Sequence, residues 1–252
     1  MSSGRKRVGV SDGLGAVGGG IGFIVANPSV WGYALVPIAW LIVLLCGLGI
    51  VGVWGAWRGS WALLGTELSW WGHVGGWLLS ALLAVVALVL ALVLAVVLAQ
   101  PLSGFALEAI ARAREQALTG WTPEPLPLAA ALFMSARVAL ATLLVGGSAL
   151  GVLLVVGFLV PPAALVMAPL NFLVGSWLLA WNFLDYPLSL HGLGLRARLR
   201  WAGRNFGAFT AFGVLWAFLL VVPGMFLLVL PMGVAGATEL VVTEDDPWRQ
   251  PE

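Results

Sequence analysis

WLLSALLAVVALVLALVLAVVLA, Trp77–Ala99, contains no charged residue and only one hydroxyl, Ser80. As an α-helix at 1.5 Å per residue it would reach about 35 Å, enough to cross the ~30 Å hydrocarbon layer of a bilayer. Each Leu or Val at mid-membrane favours insertion by roughly 0.3 to 0.6 kcal/mol, so the whole run inserts with several kcal/mol to spare. Working outward, a second apolar run from Tyr33 to Trp57 precedes it, broken near its start by Pro37. The polar connection Arg58–His73 is surrounded by Trp57, Trp61, Trp70, Trp71 and Trp77, as expected where amphipathic rings collect at headgroup level.

Composition extends this reading to the whole chain. Hydrophobic residues make up 61% and charged residues 9% of the 252 positions, against roughly 45–50% and about 25% in soluble domains. The expected fold class is therefore an all-α integral membrane protein. Arg5, Lys6 and Arg7 precede a glycine-rich stretch rather than an apolar core, so no cleaved signal is expected. The lone Cys46 excludes an intramolecular disulfide and reads as a small apolar residue within a span.

After Gln100 and Pro101 the apolar period changes. Leu102, Phe105, Ala106, Ala109, Ile110, Ala113 and Ala117 share one helical face, while Glu108, Arg112 and Glu115 fall on another. This predicts an amphipathic helix on the membrane or extending from the second span, ending near Gly120, with WTPEPLPL as the following turn. A third span is expected over Val138–Val160 and, beyond Pro161 and Pro162, a fourth over Ala163–Leu184. On the fourth, Asn171, Gly175, Leu178, Asn182 and Asp185 line one stripe. Two amides in an apolar span need partners, which are either neighbouring helices or a permeation path. Phe206–Val222 and Gly224–Leu240, separated by Pro223, are short for a full crossing and read as tilted spans or as a half-inserted hairpin. The acidic tail from residue 243 to 252 is expected to be disordered.

If the apolar pairs are hairpins, 11 of the 12 basic residues fall on one side, among them Arg196, Arg198, Arg200 and Arg204, and only Arg58 on the other. The positive-inside rule makes the first side cytoplasmic, with both termini there and these arginines as topology anchors. The expected organisation is a cytoplasmic segment over 1–32 containing a glycine-rich helix, one membrane domain over 33–242, and the tail. Arginine outnumbers lysine, alanine and glycine are abundant, and a bacterial cytoplasmic membrane is the expected location.

Catalytic motifs are missing. There is no HExxH, Walker-type loop or dinucleotide fingerprint. GGSA around Ser148 offers a hydroxyl without a histidine base in any span, and Gly13–Gly22 has neither a preceding strand nor a following Lys-Ser/Thr; it reads as close helix packing or a flexible lead-in. His73 reads as an interfacial residue and His191 as a solvated one, and neither has the clustered carboxylates of a metal site. No enzyme activity, cofactor, metal or nucleic-acid partner is expected.

Short motifs in a particular order then resemble the CysZ-type sulfate permease family, which includes the etoposide-induced membrane proteins. They are NPSVWGYALVP (27–37), LDYPLSLHG (184–192), Phe212-Gly213, Pro223 and PMGVAGAT (231–238). The matching positions are Pro28, Pro37, Asp185, Tyr186, Pro187, Phe212, Gly213, Pro223, Pro231, Ala235, Gly236, Ala237 and Thr238. The resemblance implies spanning helices plus half-inserted, re-entrant helical hairpins, and a channel or permease for sulfate or another small inorganic anion. It also implies, in the sulfate-transporting branch, an arginine pair where this chain has Trp31 and Gly32. Without that pair, an anion would have to meet the unpaired N–H groups of helix starts after Asn27-Pro28 and Pro223-Gly224. Asn27, Pro28, Asn171, Asn182, Asp185, Pro223 and Gly224 are thus the candidate path residues. The bilayer, a small anion and further copies of the chain are the expected partners. A membrane scaffold without transport, using the amphipathic helix, is the alternative.

Overall fold

A computed structural model describes residues 8–64, 70–121, 140, 143–222 and 224–244. The described residues are helical nearly throughout, with no strand among them. The helices are α1 (Val10–Ala26), α2 (Trp31–Leu64), α3 (Trp70–Thr119), α4 (Ser148–Leu159), α5 (Ala164–Leu190), α6 (Leu195–Arg204), α7 (Phe206–Leu219) and α8 (Met225–Thr243). A 3-10 turn, Pro28–Val30, joins α1 to α2, and a π-helical turn, Leu143–Gly147, leads into α4. Arg5, Lys6, Arg7, Arg137, Pro223, Arg249, the turn WTPEPLPL after its first residue, most of the beginning of the expected third span and most of the acidic tail lie outside the described residues.

Among the described residues, three helices are long and apolar enough to cross a membrane: Pro28–Leu64, Trp70–Ala99 and Leu165–Leu190. Between them they contain Pro37, Pro169 and Pro187 inside helical turns. Proline removes one N–H each time, a defect that membrane helices accommodate by local adjustment and by neighbouring groups. At 50 residues, α3 is about 75 Å long, so the part beyond Ala99 outruns the hydrocarbon layer. By contrast α7, with 14 residues, reaches only about 21 Å, and α8, with 19, about 28 Å.

The chain forms two compact units. In the first, Leu35–Ala106, α2 and the first part of α3 pack antiparallel: Ser60 is hydrogen-bonded to Ser80, Gly52 meets Ala87, and Gly49 meets Leu88. The Trp57 and Trp77 rings pack edge-on at 4.8 Å and the Trp70 and Trp71 rings at 4.5 Å. These tryptophans of the predicted belt touch in pairs and remain exposed.

The second unit joins Met1–Ala34 to Leu107–Glu252. Here α1 packs against α7 and α8, and α5 packs against α4, α7 and α8. Gly13, Ala16, Val17, Gly20, Phe23 and Ile24 form the buried face of α1. The glycine at position 20 is required by contact: a methyl group there would strike the Met232 carbonyl and come within 2.6 Å of the Gly236 nitrogen. In the same way Gly236 sits under the Ala16 carbonyl. The glycine-rich stretch is therefore a close-packing helix. At the centre, Phe183 of α5 meets Phe212 and Trp216 of α7 edge-on, at 6.2 and 5.8 Å.

The amphipathic segment is helical and continues α3, but its buried face is rotated from the predicted one. Ser103, Ala106, Leu107, Ile110, Ala111 and Glu115 are buried, whereas Leu102, Phe105 and Ala117 are exposed. The reason is that Leu107, Ala111 and Glu115 follow one another at steps of four, so the face chosen by packing carries a carboxylate with it.

Candidate functional site

The polar residues of the second unit fall into two groups: an amide stripe on α5 and a set of charged pairs near the ends of α3, α5 and α8. On α5, Asn171 Nδ2 donates to the Met167 carbonyl and Asn182 Nδ2 to the Leu178 carbonyl, each at 2.9 Å. Each amide thus donates one N–H within its own helix, and no interhelical bond of the kind the sequence allowed is seen among the described residues. Asn182 is exposed, and Asn171 Oδ1 is buried with no hydrogen-bond partner among the described residues. Across the helix, the Trp177 indole donates to Thr210 Oγ1 at 3.0 Å, tying α5 to α7. Gly213 stands against the Ser176 carbonyl at the same junction.

Below the stripe, Asp185 meets Arg198. This arginine is fully buried, and its guanidinium has three partners: Nη1 to Asp185 Oδ1, Nη2 to Ser189 Oγ at 2.9 Å, and Nε to the Leu193 carbonyl at 2.7 Å. Burial pulls the guanidinium below its ordinary pKa, and the neighbouring Asp185 charge works against that shift. Arg198 is therefore a locking residue that holds α6 to the end of α5, unlike Arg196 and Arg200, which are exposed. Arg204 is half-buried and lies 3.4 Å from Glu244, whose other oxygen accepts from Asn205 Nδ2 at 3.1 Å.

His191 differs from its expected solvated state. Its side chain is only 6% exposed, with Nε2 3.1 Å from Oε1 of the fully buried Glu115, an ion-pair distance without hydrogen-bond geometry. Next to this pair in sequence, Arg114 Nη2 donates to Glu239 Oε2 at 2.5 Å and lies over the Phe23 ring at 4.9 Å. Glu239 was not among the residues singled out in the sequence, although a lone carboxylate in the run Gly224–Leu240 is itself a sign of a buried partner. Glu115 would have been found by centring the helical wheel on Leu107 and Ala111. Among the described residues no three His, Cys, Asp or Glu side chains converge as a metal site.

The other candidate positions are dispersed. Asn27 Nδ2 donates to the Phe23 carbonyl and the Trp31 indole to the Ile24 carbonyl, both at 2.7 Å. These donors cap the C-terminus of α1, so those N–H groups are committed to backbone. Pro28 is exposed, Pro37 is buried within α2, and Gly224, at φ 84°, starts α8 from an exposed turn. Pro187, Phe212, Gly213, Pro231, Gly236 and Thr238 are buried and Tyr186 half-buried, so most of the shared motif makes helix packing. Thr238 Oγ1 donates to the Val234 carbonyl at 2.8 Å.

Long apolar helices, prolines within them and a core of glycine-mediated helix contacts define a multi-pass α-helical membrane protein. The chain belongs to the sulfate transporter CysZ/etoposide-induced protein 2.4 family, whose model matches residues 16–231. Among its relatives, the sulfate transporter CysZ of Pseudomonas paraeruginosa PA7 is 39% identical over 94 residues, covering 37% of this chain and 38% of that protein. The sulfate transporter CysZ of Pseudomonas fluorescens SBW25 is 38% identical over 85 residues, 34% of this chain and 33% of that protein. That of Pectobacterium atrosepticum is 33% identical over 92 residues, 36% of this chain and 34% of that protein. The aligned stretch thus spans less than two-fifths of the length of these relatives.

Proposed function

We propose that this protein is a passive permease or channel for sulfate or another small inorganic anion in the cytoplasmic membrane of a bacterium, with both termini in the cytoplasm. The observation that carries the reading is the family match over residues 16–231 together with relatives named as sulfate transporters. The geometry adds a polar stripe on α5: Asn171 and Asn182 each spend one amide N–H on their own helix and, among the described residues, none on a neighbouring helix, which leaves the second N–H of each for a solute. The Trp31 indole is neutral, and its one N–H is taken by the Ile24 carbonyl, so nothing here supplies the fixed, bidentate charge of an arginine. The path therefore rests on neutral donors, which favours rapid passage over tight binding. Re-entry of the short α7–α8 hairpin and assembly into a homo-oligomer belong to the same proposal.

The test is uptake of labelled sulfate into proteoliposomes beside protein-free vesicles, with phosphate and chloride as competitors. Uptake above the control, and its reduction in Asn171→Leu, is the expected outcome. No uptake of any of the three anions by protein that elutes as a single folded species overturns the reading and leaves a membrane scaffold in its place.

A further inference from the structure

The first unit carries a feature that anion transport does not use. Along α2 lies a shallow, wide-open apolar groove, lined by residues that include Cys46, Gly49, Val53, Trp54 and Trp57, with Leu88 of α3 beside it. Its α2 residues extend from Leu45 to Trp57, about 18 Å of helix. Gly49 opens the floor, because the side chain it lacks would come within 3.5 Å of Leu88 Cδ2. At the tryptophan end the groove meets the belt of Trp57, Trp61 and Trp77, the level at which a bilayer's headgroups lie.

The charge at that end is specific. Arg58 is the only lysine or arginine between Leu35 and Ala106, and its guanidinium carbon sits 4.9 Å from the centre of the Trp54 ring, one of the groove's lining residues. Stacking on the indole holds the planar donor fork at the mouth of an otherwise apolar channel. A ligand suited to both ends needs a long hydrocarbon chain and, at headgroup depth, an anionic group for a guanidinium. A second copy of the chain is the competing occupant of this face, and it would cover Cys46 in proportion to protein concentration and not to anionic lipid.

We propose that this groove is a binding site for an anionic phospholipid, with one acyl chain lying along Cys46–Trp57 and the phosphate held by Arg58. The site is independent of the permeation reading. Cys46 makes it measurable, since it is the only cysteine in the chain, is exposed, and lines the groove.

The experiment follows the rate of Cys46 alkylation by a maleimide in the full-length protein in detergent micelles. Phosphatidylglycerol, or phosphatidylcholine with the same acyl chains, is titrated in. Protection is expected with phosphatidylglycerol at about fivefold lower lipid, the preference that one basic group at a membrane surface supplies. Arg58→Gln should erase the difference and Arg58→Lys should keep most of it, each variant eluting at the wild-type volume. Equal protection by the two lipids overturns the proposal, because the groove is then ordinary lipid-facing surface. A preference that survives Arg58→Gln overturns it as well. So does protection that depends on protein concentration rather than on lipid, with Cys46-to-Cys46 cross-linking, which assigns the groove to a second copy.

Discussion

Replacing Asp185 by Asn isolates the contribution of the buried ion pair between α5 and α6. The Arg198 side chain is 0% exposed and Asp185 is 24% exposed. In the variant the guanidinium keeps Ser189 Oγ and the Leu193 carbonyl as acceptors but loses its counter-charge. Removing one partner of a buried pair costs about 3–5 kcal/mol, because the other charge stays desolvated. Water reaches the Asp185 side of the pair, so the expected loss is at the low end, about 3 kcal/mol. The double variant Asp185→Leu/Arg198→Met removes both charges and should regain more than half of that loss, since apolar replacement of a whole buried pair is often near neutral. The assay is reversible unfolding in mixed detergent–SDS micelles, monitored by tryptophan fluorescence, for the wild type, Asp185→Asn, and the closed cycle of Asp185→Leu, Arg198→Met and Asp185→Leu/Arg198→Met. A coupling energy of about 2 kcal/mol is expected. If Asp185→Asn falls within about 0.5 kcal/mol of wild type, or if the single-variant losses simply add in the double variant, the pair is not the lock described here.

Two further outcomes follow from helix contact and from charge placement. Gly20→Leu must displace the Met232 backbone and should cost more than the roughly 1–3 kcal/mol of ordinary overpacking, whereas Gly18→Ala, with open space around it, should be neutral or slightly stabilising; equal thermal stability of the two variants by fluorescence-detected size exclusion would remove the close-packing account of α1. For topology, in a Cys46→Ala background, an impermeant maleimide added to whole cells should label the Arg58→Cys variant and leave the Arg200→Cys variant unlabelled until the cells are opened; the reverse pattern inverts the assigned orientation.

The membrane character was legible because it depends on runs, and runs are local. Trp77–Ala99 and Tyr33–Trp57 each name their own environment without reference to any other part of the chain. The ends of the helices were less legible. The first span continues as α2 past its expected polar boundary, to Leu64, because hydropathy marks where lipid stops, while backbone hydrogen bonding continues past that point; α3 ends at Thr119, next to the expected Gly120. The amphipathic face was misplaced for a related reason. Counting apolar residues put Glu115 outside, but Glu115 sits at the same angular position as Leu107 and Ala111, and packing against His191 turned that side inward. For the candidate path, the sequence marked the α5 stripe correctly as one face. It left open whether the amides serve neighbouring helices or a permeation path, and it did not foresee the bonds each amide makes to its own helix.

By itself the sequence determined that this chain is helical, lies in a membrane, carries no recognisable catalytic motif and shares the ordered motifs of its family. Each of these follows from residue type at a position or from spacing within one segment. Only the tertiary structure decided which side chains meet. It joined Asp185 to Arg198, Arg114 to Glu239 and Glu115 to His191, and it turned the glycines of α1 into the surface that receives α8. The physical reason is that a buried charge in a nearly uncharged chain must find a counter-charge. Its identity depends on helix rotation and crossing, quantities that a run of Leu, Ala and Val does not encode.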